Sequence, residues 1–225
     1  METSTFDFLR QLAEHNNRDW FNENKQWYQE EHAKTIAFVD ELLDGIKAHD
    51  QVSNESGKKS LMRIYRDVRF SKDKSPYNPR FAGSFGRIKP QLRGSYFFRF
   101  MPGATVVGGG FYGPNKDDLK LIRDHIDQDD EPLRAVISSE AFKAVFGGLQ
   151  GEQLKTAPKG FPKDHESIDL LKYKSMYAFK EFTDKEVLSV DFQDQVLEVF
   201  LAIRPFFDVM TDMLTTDLNG ISLIE

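Results

Sequence analysis

The apolar positions of the chain change period twice, from helical to alternating and back. Phe6, Leu9, Leu12 and Ala13 recur at helical spacing, and Ser4 with Asp7 three residues on has the form of a capping box, so a short first helix is predicted. His15, Asn16 and Asn17 interrupt it. Trp20, Trp27, Tyr28, Phe38, Val39, Leu42, Leu43 and Ile46 then make a longer 3.6-period stripe that ends near Gly45 to Asp50, and the polar stretch QVSNESGKK reads as a linker. From Leu61 the period becomes two. Met62, Ile64, Val68 and Phe70 share one parity and Arg63, Tyr65, Asp67 and Arg69 the other, which predicts a half-buried strand over 61–70 with Arg66 as the exception on the apolar face. Pro76 and Pro79 each remove a backbone donor, so SKDKSPYNPR is expected to be a loop. Residues 81–88, 94–101 and 105–111 read as further strands, the last two joined by a hairpin turn at Pro102 and Gly103.

After Gly113 and Pro114 the helical period returns with Leu119, Ile122 and Ile126, and again with Leu133, Ala135, Val136, Ile137, Phe142 and Phe146 up to a Gly147–Gly148 C-cap. Residues 154–161 read as a loop or short strand, 167–171 as a helical turn and 173–182 as another strand. A last helix is expected from about Phe192 to Leu214, kinked or split at Pro205. No repeat or low-complexity tract interrupts the order. The expectation is an α+β fold in one domain over 1–225: a central, mainly antiparallel meander packed with N-terminal, middle and C-terminal helices.

Composition narrows the class. With 40% hydrophobic residues, 20 Phe and 2 Trp the chain can bury a sizeable core, so disorder is not expected. The absence of Cys removes disulfides, thiolate nucleophiles, Cys-ligated zinc and iron–sulfur clusters. No apolar run approaches the roughly 18 residues of a membrane span, and METSTFDFLRQ has neither a basic nor an apolar leader region. A soluble, cytoplasmic protein without a membrane partner is expected.

Charge is unevenly placed. The net charge is -6, yet residues 58–99 carry +10 and the remainder -16. A basic stretch in an acidic protein suggests a local anion site, whereas a general nucleic-acid binder would be basic overall. The competing explanation is that these cations pair with Asp and Glu of the flanking helices.

On a strand over 61–70, alternation would bring Arg63, Tyr65, Asp67 and Arg69 to one face, and the following loop would add Lys72, Asp73, Lys74 and Tyr77. Guanidinium forks, ammonium groups and a phenol suit a phosphorylated or carboxylated ligand. The candidate ligand-binding set is therefore Arg63, Arg66, Asp67, Arg69, Lys72, Lys74 and Tyr77. Asp67 sits among cations that lower its pKa, so a positioning role is expected for it rather than proton abstraction. Lys155, Lys159 and His165 are secondary candidates, the lysines if their loop folds back on the sheet and His165 as an acid–base group. Ser71 and Lys74 match a Ser-x-x-Lys spacing, but that chemistry needs a helix, which Pro76 and Pro79 oppose. Gly108–Gly110 lacks the Lys-Ser/Thr of a phosphate loop and reads as close backbone packing. The five histidines include no HExxH and no i, i+4 pair, so no metal site is indicated; the cofactor, the reaction and the oligomeric state are left unassigned. Tyr65, Phe70, Tyr77, Phe81, Phe85, Tyr96, Phe97, Phe98 and Phe100 interleave with the cations as a single-strand nucleic-acid platform would, but most occupy strand positions expected to face a core.

The string RIYRDVRFSKDKSPY, with Arg63, Arg66, Asp67, Arg69, Phe70, Lys74 and Tyr77, resembles the signature of the uncharacterised family known as domain of unknown function 2461. The resemblance extends in the same order to NNRDWFNENKQWY, GGGFYGP and LKTAPKGFPKDH, from about Phe6 to Phe207. It implies a single intact family domain and supplies no activity and no catalytic residues. Three functions therefore compete: a small-anion site, an Arg/Asp network that is architecture in a protein-interaction domain, and a nucleic-acid module disfavoured by the acidic remainder.

Overall fold

A computed structural model describes residues 1–224. The helices up to the sheet are α1 (Thr3–Glu14), α2 (Arg18–Glu23), α3 (Lys25–Lys47) and α4 (Gly57–Ser60). Those that follow its first three strands are α5 (Lys116–Gln128), α6 (Glu131–Ser138), α7 (Glu140–Phe146), α8 (Ile168–Leu171), α9 (Asp184–Val187) and α10 (Phe192–Thr215). Strands β1 (Phe81–Gly86), β2 (Ser95–Phe100), β3 (Thr105–Phe111) and β4 (Met176–Phe182) form one antiparallel sheet in the order β1-β2-β3-β4. The fold is α+β with a meander, as the alternating pattern after Phe81 predicts.

Sheet register follows from the glycines. A Cβ on Gly83 would lie 2.5 Å from the Phe98 ring, so these two residues share a face of the β1–β2 pair. At Gly108 a Cβ would lie 2.0 Å from the Ala178 carbonyl oxygen, and at Gly110 it would lie 2.4 Å from Tyr177 Cα. Gly108 and Gly110 are glycine because β4 approaches β3 too closely there for side chains, and at Gly109 a Cβ would lie 2.6 Å from the Ser95 carbonyl oxygen and 2.7 Å from the Phe207 ring. Gly103, at φ +71°, closes the β2–β3 turn.

The chain divides into two compact units. The first comprises Met1–Phe85, Phe97–Val107 and Glu181–Glu198. Phe6, Phe8, Leu9 and Leu12 of α1, Val39, Leu42, Leu43 and Ile46 of α3, and Phe81, Phe85, Phe98 and Phe100 of the strands are buried in it. The predicted capping box is absent. Helix α1 starts at Thr3, and the Ser4 and Thr5 hydroxyls donate to the buried Glu31 carboxylate at 3.1 and 2.8 Å. A capping box does form at Thr183 and Glu186, before α9. The expected single stripe from Trp20 is broken at Asn24, which separates α2 from α3 and donates its amide to the Trp20 carbonyl at 2.9 Å. Part of the predicted linker is helical, because Ser56 caps α4 through the Lys59 N–H.

The strand predicted over 61–70 does not form. Two isolated bridges, Leu61 with Gly83 and Tyr65 with Tyr77, are what remains of a ladder beside β1. Pro76 and Pro79 have no N–H to continue it. At the far end Asp67 accepts the Arg69 N–H at 3.2 Å, the Ser71 N–H bonds the Val68 carbonyl at 3.3 Å, and the chain turns. Alternation therefore fails as a guide to burial: Ile64 is 3% exposed, but Met62 is 52% and Phe70 96% exposed.

The second unit comprises Gly86–Tyr96, Gly108–Lys180 and Val199–Glu225. Its core holds Tyr96, Ile122, Ile126, Leu133, Phe142, Leu170, Leu171, Phe200, Ile203, Phe206 and Phe207. The helix predicted from Leu133 to Phe146 is two, because Ser139 ends α6 and caps α7 through the Phe142 N–H at 3.1 Å. Pro205 does not split α10, where Phe200, Ile203, Phe206 and Phe207 are fully buried around it. Arg87 is buried with its guanidinium 2.8 Å from Asp208 and 3.2 Å from the Thr211 hydroxyl. Among the described residues no helix is long and apolar enough to cross a membrane.

Candidate functional site

The basic string lies in the first unit as an irregular loop whose own side chains fold it. The Asp67 carboxylate takes the Arg69 guanidinium in a fork, Nε at 3.0 Å and Nη2 at 2.6 Å, and also accepts the Arg69 N–H. Arg69 and that N–H hold the Asp67 pKa below the ordinary aspartate value. Asp73 is lowered further, by the Ser75 hydroxyl at 2.7 Å, the Ser75 N–H at 2.9 Å and the Arg66 guanidinium paired with it. Both carboxylates are ionised at neutral pH and too weakly basic to abstract protons. The Lys74 ammonium donates to the Val68 carbonyl at 2.9 Å, so it is not disposed toward Ser71 as a Ser-x-x-Lys mechanism requires.

The candidate residues thus separate. Arg66, Asp67, Arg69 and Lys74 are engaged within the loop. Arg63 and Lys72 are exposed and have no hydrogen bond or ion pair to any described residue. Tyr77 is 3% exposed, stacked on Phe21 with ring centroids 4.0 Å apart, and so belongs to the packing beneath the loop. The Asn16 side chain clamps its backbone, accepting the Tyr77 N–H at 3.1 Å and donating to the Tyr77 carbonyl at 3.0 Å. That contact joins the two aromatic-basic strings, NNRDWFNENKQWY and RIYRDVRFSKDKSPY. Tyr65 lies 5.3 Å from Tyr77 and 6.0 Å from Phe21, and Tyr28 lies 5.1 Å from Phe21. Burial raises the Tyr28 and Tyr77 pKa values, and the Tyr65 phenol adds to both. None of these three hydroxyls bonds to a described residue.

Two further cations were missed from sequence as site residues. Arg80, the residue before β1, is half-buried; its N–H bonds the Asn78 carbonyl at 2.8 Å, and its guanidinium has no hydrogen bond or ion pair to any described residue. Arg99, on β2, is half-buried and gives its Nε to the Ala104 carbonyl at 3.1 Å. The sequence signal for them is their shared parity about the β1–β2 turn.

Lys155, Lys159 and His165 belong to the second unit. Both lysines are exposed, whereas His165 accepts the Ser167 N–H at Nδ1, 3.0 Å, and places Nε2 2.8 Å from Asp127. With Nδ1 accepting, the neutral ring carries its proton on Nε2 and donates it to Asp127, a structural arrangement. A cavity of about 290 Å³ in the second unit is lined by Asp129, Asp212 and Asp217 with His125, Gln128, Thr216 and apolar neighbours, without Lys or Arg, a balance that disfavours an anion. Among the described residues no group of three or more His, Asp or Glu is placed to hold a metal ion.

Comparison of the chain with curated proteins and with solved structures gives no match. Comparison with family models gives one over residues 4–208, described as a conserved hypothetical protein. That range takes in the loop, the Asn16 clamp and the whole sheet. The chain therefore belongs to the conserved hypothetical protein family domain of unknown function 2461.

Proposed function

We propose that this protein binds a small anionic ligand, phosphorylated or carboxylated, over the loop of residues 63–80. The observation that carries the reading is an imbalance of partners. Six cations occupy that stretch with two carboxylates, and Arg63, Lys72 and Arg80 form no salt bridge with a described residue, although Arg63 is near enough to Asp67 to help lower its pKa. Arg66, Asp67, Arg69 and Asp73 act as the scaffold that holds the loop open, which gives the architectural reading its proper place in the same site. The donors are those of a binding site; with Asp67 and Asp73 held ionised, the loop contains no neutral-pH base.

A nucleic-acid reading draws on Phe70, whose exposed ring lies 5.9 Å from the Arg69 guanidinium. Phe81, Phe85, Tyr96, Phe98 and Phe100 of the interleaved aromatics are core residues, so a stacking platform lacks most of its faces. Failure to retard single-stranded DNA or RNA at low salt removes that reading.

The test of the proposal is a thermal-shift screen with phosphate, sulfate, sugar phosphates, nucleotides and carboxylates at matched ionic strength. A ligand at 100 times its Kd adds about 2.7 kcal/mol and raises the midpoint by several degrees. The expected result is a shift by one anion class in the wild type that is reduced in Arg63→Ala/Lys72→Ala. A wild type that responds to no class contradicts it.

A further inference from the structure

Three arginines of the first unit converge without an acid to balance them all. Gly83 and Phe98 share one face of the β1–β2 pair, so alternation places Ala82 and Arg80 on the other face together with Arg99. Arg99 stands across from Ala82 and diagonal to Arg80, a separation that two long side chains span. Arg66, in the loop, has its N–H on the Pro76 carbonyl at 2.9 Å and a side chain that is 24% exposed and paired with Asp73. Burial lowers the Arg80 pKa, and the Arg99 and Arg66 guanidiniums lower it again; no carboxylate acts on it in the opposite sense.

A partly desolvated guanidinium between like charges is unfavourable unless an anion is present. Arg66 has Asp73, and Arg99 has one carbonyl on Nε with its Nη groups still to be satisfied. Arg80 has nothing. We infer that Arg80 and Arg99 form the seat of a phosphoryl group, with Arg80 at its centre and Arg66, held by Asp73, adding its charge from the loop. The inference rests on the anionic-ligand reading above and names its ligand class and its binding residues. Guanidinium forks arriving from a strand, a strand end and a loop offer donors in more than one plane, which fits the several oxygens of a tetrahedral dianion better than a planar carboxylate.

Isothermal titration with inorganic phosphate, and with acetate at the same ionic strength, separates the possibilities. Wild type is expected to bind phosphate saturably and acetate far more weakly. Arg80→Gln and Arg99→Gln should each weaken phosphate binding roughly tenfold or more, the loss of a charge-assisted contact. Lys120→Gln, which removes one exposed charge in the second unit, should change it less than about twofold. Arg99→Gln serves as the independent variant should Arg80→Gln fail to fold. If both Gln variants bind as wild type while Arg63→Ala/Lys72→Ala does not, the seat is wrong and the loop reading stands. Equal binding of acetate and phosphate overturns the phosphoryl assignment. If wild type binds no anion, both readings fall.

Discussion

In the second unit, Arg87, with its side chain 1% exposed, meets the Asp208 carboxylate, and Arg93 and Arg134 meet Asp118 and both Asp130 and Asp169. Arg123, half-buried without a carboxylate, is bonded to the Leu171 and Tyr173 carbonyls at 3.0 and 3.2 Å. In the first unit, Arg80 is half-buried near Arg99 and Arg66, and its guanidinium has neither kind of partner. The physical rule obeyed in the second unit is that a desolvated cation must be neutralised or hydrogen-bonded. The first unit departs from it at one place, and that place adjoins the basic loop. The paired arginines are expected to report on stability, and Arg80 is the proposed centre of an anion seat.

The largest expected effect lies on the paired side. Asp208→Ala leaves the buried Arg87 guanidinium without that carboxylate and should cost about 3 kcal/mol in denaturant unfolding; a loss below about 1 kcal/mol would mean that Arg87 is neutralised otherwise. Next comes the clamp beneath the loop. Asn16→Ala strands the Tyr77 N–H and carbonyl in a half-buried position and should cost about 2 kcal/mol, which the same unfolding curve measures. Arg80→Gln should behave oppositely to Asp208→Ala, with stability in phosphate-free buffer unchanged or raised by up to about 1 kcal/mol, because it removes a like charge. A clear destabilisation would break the comparison.

The smallest effect is in acid. The folded-state pKa of Asp73 lies below its ordinary value of 3.8, so the stabilisation that it contributes is present above that pH and is lost as pH falls below it. Ser75→Ala removes the hydroxyl that contributes most, raises the Asp73 pKa and makes unfolding between about pH 4 and 2 less acid-dependent. A carboxyl NMR titration of Asp73 that is unchanged in Ser75→Ala would show that Ser75 is not the cause.

Much of the fold was legible because β2, β3 and α10 satisfy their period and their turn chemistry together. Residues 61–70 satisfied the period alone. Its hydrophobic parity was genuine at Ile64, but Met62 and Phe70 are exposed and the local bonds of Asp67 and Ser71 turn the chain before a ladder can extend. The division into two units has no sequence signal, since its crossing points fall within β1, β2, β3, β4 and α10 and at no polar linker. The basic loop was legible from charge, whereas the engagement of Arg69 with Asp67 and of Arg66 with Asp73 needed coordinates. The burial of Tyr77 needed coordinates, because nothing in SPY shows that Phe21 covers its ring.

The most direct measurement is the arginine side-chain Nε–Hε NMR spectrum of the wild type during titration with inorganic phosphate at constant ionic strength. The account predicts saturable shifts at Arg80 and Arg99, a smaller one at Arg66 and none at Arg87. Resonances that stay fixed, or that all drift together without saturation, would contradict it.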